Sequence, residues 1–209
     1  LTGEVGTGKT TLLRRLAKAV EPTIHVAYFY NTTLTYDELL DSVCEDFDLP
    51  VVNNGRRLEK IQTLNRFLLK LQQEGGAGVL LIDEAQNLSE EILENLRLLS
   101  NLETASEKLL QIVLVGQPEL SLKLAQPKLR QLKQRTAIQC QLDRLKEREV
   151  GPYIDYRLRV AGYQNQGLFP PEAIQRIGVY SQGIPRLINI ICENALLIAY
   201  GTAQPTVSP

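Results

Sequence analysis

The chain has 209 residues, 44% of them hydrophobic, and a formal net charge of −1. That is enough apolar material for one or two domains with a real core. The charge excludes an overall basic field of the kind that draws a protein to nucleic acid or an anionic membrane.

The chain opens on Leu1-Thr2, which reads as the end of a strand. Next comes Gly3-Glu4-Val5-Gly6-Thr7-Gly8-Lys9-Thr10. This is G-x-x-x-x-G-K-[ST], the phosphate-binding P-loop, and its spacing has a mechanical reason. Glycines let the backbone curl so that successive N–H groups converge on one anion. The loop then feeds a helix over residues 11–20, whose N-terminal N–H groups and dipole favour phosphate. Nucleotide contacts are therefore expected from Glu4, Val5, Gly6, Thr7, Gly8, Lys9, Thr10 and Thr11. Lys9 reaches the β- and γ-phosphates, and the Thr10 hydroxyl ligates Mg²⁺.

Downstream, β-rich apolar runs alternate with helical patterns, which predicts an α/β fold with a parallel sheet. Residues 24–30 form a strand, and its His25 reads as structural. Thr35 and Glu38 fit a capping box opening a helix that runs to about Phe47. Residues 50–55 make a turn or loop. Leu58, Ile61, Leu64, Leu68 and Leu71 recur at helical spacing, predicting an amphipathic helix over 56–73 with a core-facing stripe. Gly75-Gly76-Ala77-Gly78 breaks it. Residues 79–82, Val-Leu-Leu-Ile, have the continuous apolar character of a strand buried on both faces, and end in Asp83-Glu84. A helix follows over 89–99, then a buried strand over 111–115 closed by Gly116-Gln117-Pro118, and a last strand over 138–142. From Lys146 the pattern is helical: 147–160, 171–180 and 184–200. The expected division is a core over 1–145, a small helical domain over 146–200, and a tail over 201–209 with little to pack.

Cys44, Cys140 and Cys192 are odd in number and far apart. That argues against a disulfide framework and suits a reducing compartment. Each lies among apolar residues, which predicts buried structural thiols. There is no run of 18 apolar residues. The chain has no methionine and starts inside a predicted strand, so the expectation is that the domain's N-terminus lies outside it.

The acidic pair carries the second chemical signal. A buried strand delivering Asp83 beside a P-loop has the form of a Walker B segment, in which Asp83 holds Mg²⁺ through its water shell. Glu84 is then placed to orient and activate the attacking water. Gln117 ends the neighbouring strand, where its amide can reach the water or the γ-phosphate; a plain turn is the competing account. Asn31, after the 24–30 strand, either restrains Glu84 or simply starts a loop.

The P-loop, Leu-Ile-Asp-Glu-Ala-Gln, Leu-Val-Gly-Gln-Pro-Glu-Leu, Leu-Lys-Gln-Arg and Gly-Ile-Pro-Arg-Leu-Ile-Asn together resemble AAA+ ATPases. Within these the chain is similar to the general secretion pathway protein A (ExeA/GspA) family, from Leu1 to Tyr200. The resemblance implies a P-loop sheet of order 5-1-4-3-2 followed by a helical lid. It puts Gln117 at sensor 1 and Arg186, after Pro185, at sensor 2, where a cation from the lid reaches the γ-phosphate. Tyr153 and Ile154 either pack on adenine or belong to the lid's core. Arg130 and Arg135 fall where such proteins carry an arginine finger, with Arg135 preferred; a finger acts on a neighbour's nucleotide and so implies a ring or filament. The basic residues from Lys128 to Arg148 are otherwise a solvated face.

The implied function is an oligomeric ATPase using ATP and Mg²⁺. It would assist assembly of a bacterial secretion, pilus or polysaccharide-export machine, with its ATPase in the cytoplasm and the full-length protein at the inner membrane. The rival is an ATP-dependent DNA-binding transposition regulator of the MuB/TnsC kind, which the near-neutral charge disfavours. A third reading is a switch that binds ATP with negligible turnover.

Overall fold

The computed structural model describes residues 1–30, 35–50, 56–105, 107–165 and 167–207. Asn31 and most of the expected 50–55 loop lie outside them. The chain divides into two compact units, Leu1–Gly3 with Lys9–Gln141, and Glu4–Gly8 with Leu142–Pro209.

The first unit contains β1 (Thr2–Gly3), α1 (Lys9–Ala19), β2 (Ile24–Phe29), α2 (Tyr36–Asp46), α3 (Arg57–Gln73), β3 (Ala77–Ile82), α4 (Glu90–Leu99), β4 (Leu110–Leu114), α5 (Pro118–Leu124) and α6 (Arg130–Arg135). β5 (Gln141–Leu142) closes it and leads into the second unit. β3 pairs in parallel with β2 on one side, Tyr28 opposite Leu81 and Phe29 opposite Ile82, and with β4 on the other, Ile82 opposite Leu114. β1 pairs with β5, and a parallel bridge joins Thr2 to Gly116, two residues past β4.

Strand alternation sorts the apolar residues onto two faces. Leu80 and Ile82 of β3, with Ala27 and Phe29 of β2, join the large core that also holds Leu39 and Leu40 of α2, Leu64 and Leu68 of α3 and Leu93 and Leu96 of α4. Leu81 faces the other way, clustering with Leu13 of α1 and Val115, with Val79, Val113 and Val26 packed alongside. A strand with apolar residues at every position is what a sheet covered on both faces requires.

Local chemistry sets several boundaries. Thr35 caps α2 through a reciprocal box with Glu38, as its spacing predicts. Ser89 caps α4, its Oγ accepting from the Ile92 N–H at 3.2 Å. Pro118 stands at the first position of α5, where a missing N–H costs nothing. α5 and α6 are short helices lying between the two last strands that the sequence predicts. The predicted strand at 138–142 contracts to Gln141–Leu142, and Ile138 is 79% exposed. On α3, Leu58 lies outside the buried stripe, whose members are Lys60, Leu64, Leu68 and Leu71. Lys60 belongs there because its ammonium donates to Asp41 on α2 at 2.7 Å.

The second unit is helical: α7 (Glu147–Val160), α8 (Pro171–Ser181) and α9 (Pro185–Gly201). Val150, Ile154, Phe169, Ile177, Ile188 and Ala199 make its core. Val207 is buried with them and its N–H donates to the Leu168 carbonyl at 2.9 Å, so the expected unpacked tail is anchored there. Of the thiols, Cys44 is buried and Cys192 half-buried, but Cys140 is exposed, correcting the expectation that all three are interior. It sits in the extended segment before β5, where an apolar neighbour in sequence gives no cover. Among the described residues no helix is long and apolar enough to cross a membrane.

Candidate active site

The P-loop backbone curls as its glycines permit. Gly6 and Gly8 have φ of +82° and +100°, values that a β-carbon disfavours. The Thr7 hydroxyl and N–H both donate to the Glu4 carbonyl, at 2.8 and 3.3 Å, which tightens the turn. Gly6 also accepts the Arg186 N–H at 3.1 Å, and a β-carbon on Gly6 would stand 2.8 Å from that of Arg186. Glycine is thus required there twice, by dihedral and by close approach. Arg186 is the second residue of α9, with Pro185 before it at the helix start, and its side chain is exposed.

Lys9 begins α1 and is 6% exposed, and its ammonium donates to the Gly3 carbonyl at 2.8 Å. An ammonium this buried needs oxygen around it, and a lysine at this position places three donors beside the loop. Thr10, one residue on, donates its hydroxyl to Asp83 Oδ2 at 2.6 Å.

β3 delivers the acidic pair. Asp83 is 3% exposed, and its carboxylate is satisfied on both sides: Oδ2 also accepts the Tyr28 hydroxyl at 3.3 Å, and Oδ1 accepts the Glu84 N–H at 2.9 Å. Burial, and then the Asp83 charge, push the Tyr28 phenol up, with the Arg14 guanidinium opposing; Tyr28 therefore stays a protonated donor. Glu84 has φ of +51°, an uncommon conformation for a residue with a side chain. The backbone thus turns sharply where the strand ends, and the carboxylate swings toward the end of β4. There Glu84 Oε2 accepts from Gln86 Nε2 at 2.6 Å and from Gln117 Nε2 at 3.3 Å.

The arrangement has the parts of a nucleotide–metal site. A threonine hydroxyl and a buried carboxylate, bonded to each other, offer the hard oxygen donors that suit Mg²⁺. Among the described residues no group of three or more His, Cys, Asp or Glu could hold a metal.

Residues 1–124 match the family described as an AAA domain. The chain belongs to the AAA domain family. It is also 46% identical to general secretion pathway protein A of Aeromonas hydrophila over 200 residues, covering 96% of this chain and 36% of that protein. The chain therefore spans about a third of the length of that curated relative. Among solved structures it is similar to the ORC2 protein of Aeropyrum pernix in its ADPNP–ADP complexes, with a TM-score of 0.71 and 20% identity over 99% of this chain and 58% of that one. The Holliday junction branch migration motor RuvB of Thermotoga maritima gives a TM-score of 0.64 at 19% identity, over 99% and 56% of the two chains. At such identities these structures speak for the AAA fold alone.

Within this AAA domain the structure brings Thr10, Asp83, Glu84 and Gln117 into one bonded set. Arg130 and Arg135 stand apart from that set, at the two ends of α6 and exposed. Val5 is 52% exposed, and the Glu4 and Thr11 side chains are exposed as well. Ile154 is 2% exposed inside the helical core, and the Tyr153 hydroxyl donates to Asn189 Oδ1 at 3.2 Å. Ile154 with Phe169, Asn189 and Cys192 also lines a groove of about 480 Å³. Sequence reasoning assigned no role to Tyr28 or Gln86. Tyr28 carries no local signal, since only the β2–β3 register puts it beside Asp83. Gln86 does carry one: it lies two residues past Glu84, within reach of the same turn.

Proposed function

We propose that this AAA domain binds ATP–Mg²⁺ and hydrolyses it within an oligomer. The observation that carries the reading is the Thr10–Asp83 bond at 2.6 Å, with Glu84 on the next residue and Gln117 on its carboxylate. In this reading the loop N–H groups of residues 4–8, with Lys9 and the side chain of Thr11 at its exit, receive the phosphates. Thr10 and Asp83 would hold the metal, which would supply charge neutralisation for the phosphates. Glu84 orients the water and takes its proton. Gln117 as sensor 1 and Arg186 as sensor 2 bind the γ-phosphate, and Pro185 fixes where α9 begins. Tyr153 and Ile154 serve the helical core; the burial of Ile154 and the bond from the half-buried Tyr153 to Asn189 favour that over an adenine contact. The bridge between Thr2 and Gly116 is read as the seam of one sheet of order 5-1-4-3-2, and the helical residues after 145 as the lid.

Arg135 is the preferred finger, reaching the nucleotide of a neighbouring copy, with Arg130 second. The 46% identity to a general secretion pathway protein A supports service to a bacterial envelope machine. The whole protein would then lie at the inner membrane with this domain on the cytoplasmic side.

Two variants test the reading. Lys9→Ala should lose ATP binding by equilibrium dialysis. Glu84→Gln should bind ATP within a few-fold of the parent yet turn over on the order of 100-fold more slowly. Undiminished turnover by Glu84→Gln would remove the catalytic assignment. The same Glu84→Gln protein, titrated against labelled duplex DNA at about 150 mM salt, decides the other question. Binding that appears only with ATP–Mg²⁺ would replace the envelope role with that of a DNA-bound regulator.

A further inference from the structure

Gln86 occupies a place that neither the P-loop nor the acidic pair explains. Its Nε2 donates to Glu84 Oε2 at 2.6 Å, and its Oε1 accepts the Gln117 backbone N–H at 3.0 Å. Gln117 Nε2 returns to the same Glu84 oxygen at 3.3 Å. The three contacts close a ring. Its polarity is fixed, because a backbone N–H can only donate. The Gln86 atom facing Gln117 must therefore be the oxygen, which leaves the amide nitrogen for the carboxylate.

The surroundings keep Gln86 where the ring needs it. It sits in a short 3-10 turn, Ala85–Asn87, whose first N–H donates to the Val115 carbonyl at 2.9 Å. The Lys123 ammonium, reaching over from α5, donates to the carbonyls of Gln86 and Leu88 at 2.6 and 2.8 Å. Gly116 gives the second independent sign. A β-carbon there would lie 2.6 Å from Gln86 Oε1 and 3.1 Å from Leu120 Cδ2, so a side chain before Gln117 would push the Gln86 amide out of the ring.

We infer that Gln86 is a positioning residue for hydrolysis, setting the Glu84 carboxylate against Gln117 so that the two groups act as one unit. The inference rests on the roles proposed above for Glu84 and Gln117. Gln86 itself touches neither water nor phosphate in this scheme. It fixes where the Glu84 carboxylate stands, and it ties that placement to the end of β4, which carries Gln117.

The test is steady-state ATPase kinetics with a parallel ATP-binding titration. Gln86→Ala should lower kcat by roughly 10- to 100-fold, the scale set by misplacing a catalytic group, while ATP affinity stays within about threefold. Gln86→Glu keeps the length but cannot donate to a carboxylate, so its kcat should fall at least as far. Gly116→Ala, which alters no group in the ring, should lower kcat in the same direction by displacing Gln86. Joining Gln86→Ala to Gln117→Ala should cost much less than the product of the single losses, since either opens the same ring. Thermal melts of each variant separate this from a folding defect. Parent-like kcat in Gln86→Ala and Gln86→Glu, with Glu84→Gln inactive, would overturn the positioning role and leave the ATPase reading standing. Independent, multiplying losses would overturn the ring. Full turnover by Glu84→Gln would remove both.

Discussion

Asp83 shows how much one buried residue can coordinate. With 3% of its surface exposed, it takes a hydroxyl from α1, a phenol from β2 and its own successor's N–H. A buried carboxylate is tolerable only when so surrounded. The carboxylate chemistry is legible in the sequence, because an acid ending an apolar strand after a P-loop has few other uses. Its partner Tyr28 is not legible, because pairing across a sheet depends on register and not on proximity in the chain. The cysteines carry a residue-scale prediction. Burial pushes the Cys192 thiol up to about 11, and burial, with Asp41 nearby, also pushes Cys44 up. Both therefore stay as poorly reactive thiols near neutrality. Iodoacetamide at pH 8 should modify the exposed Cys140 first, the half-buried Cys192 more slowly, and Cys44 only on unfolding. Peptide mass mapping over time checks this, and early labelling of Cys44 would contradict the packing described.

At the scale of elements, sequence periodicity served best where a helix or strand meets the core along a full face. β3 and α4 lie within a residue or two of where their apolar spacing puts them. It served least where elements are short: α5 and α6 have seven and six residues, too few to display a period. Their existence depends on Leu120, Leu129 and Leu132 finding the large core, a contact made in three dimensions. Capping, by contrast, is local and therefore readable. Thr35→Ala should remove the α2 box and cost about 1 kcal/mol. In a chain of this size that lowers the melting temperature by roughly 2–4 °C, with ATP affinity unchanged. A calorimetric melt decides it; a shift within error would mean that Glu38 holds the turn without its threonine.

For the molecule as a whole, what matters is whether one copy suffices. Arg135 is exposed at the end of α6, and nothing in the bonded set of Thr10, Asp83, Glu84 and Gln117 includes it. If it acts on a neighbour's nucleotide, two differently damaged copies should repair one another. Arg135→Ala binds ATP but lacks the finger, and Lys9→Ala keeps the finger but lacks the nucleotide. Each alone should be nearly inactive, and an equimolar mixture should recover a substantial fraction of the parent's turnover. A mixture no more active than its parts would place the finger elsewhere, with Arg130 the next to test.

The sequence by itself determined the AAA domain, the α/β pattern, and the identities of Lys9, Thr10, Asp83 and Glu84. The pattern is read from the alternation of elements along the chain, and the four residues stand in two short motifs whose internal spacing is visible in the sequence. Only the tertiary structure decided that Tyr28 supports Asp83, that Gln86 links Glu84 to Gln117, and that Gly116 must be bare for this. Those relations reach across as many as 55 positions of the chain, brought together by the parallel pairing of β2, β3 and β4. A chain shows which groups it carries, and strand register decides which of them meet.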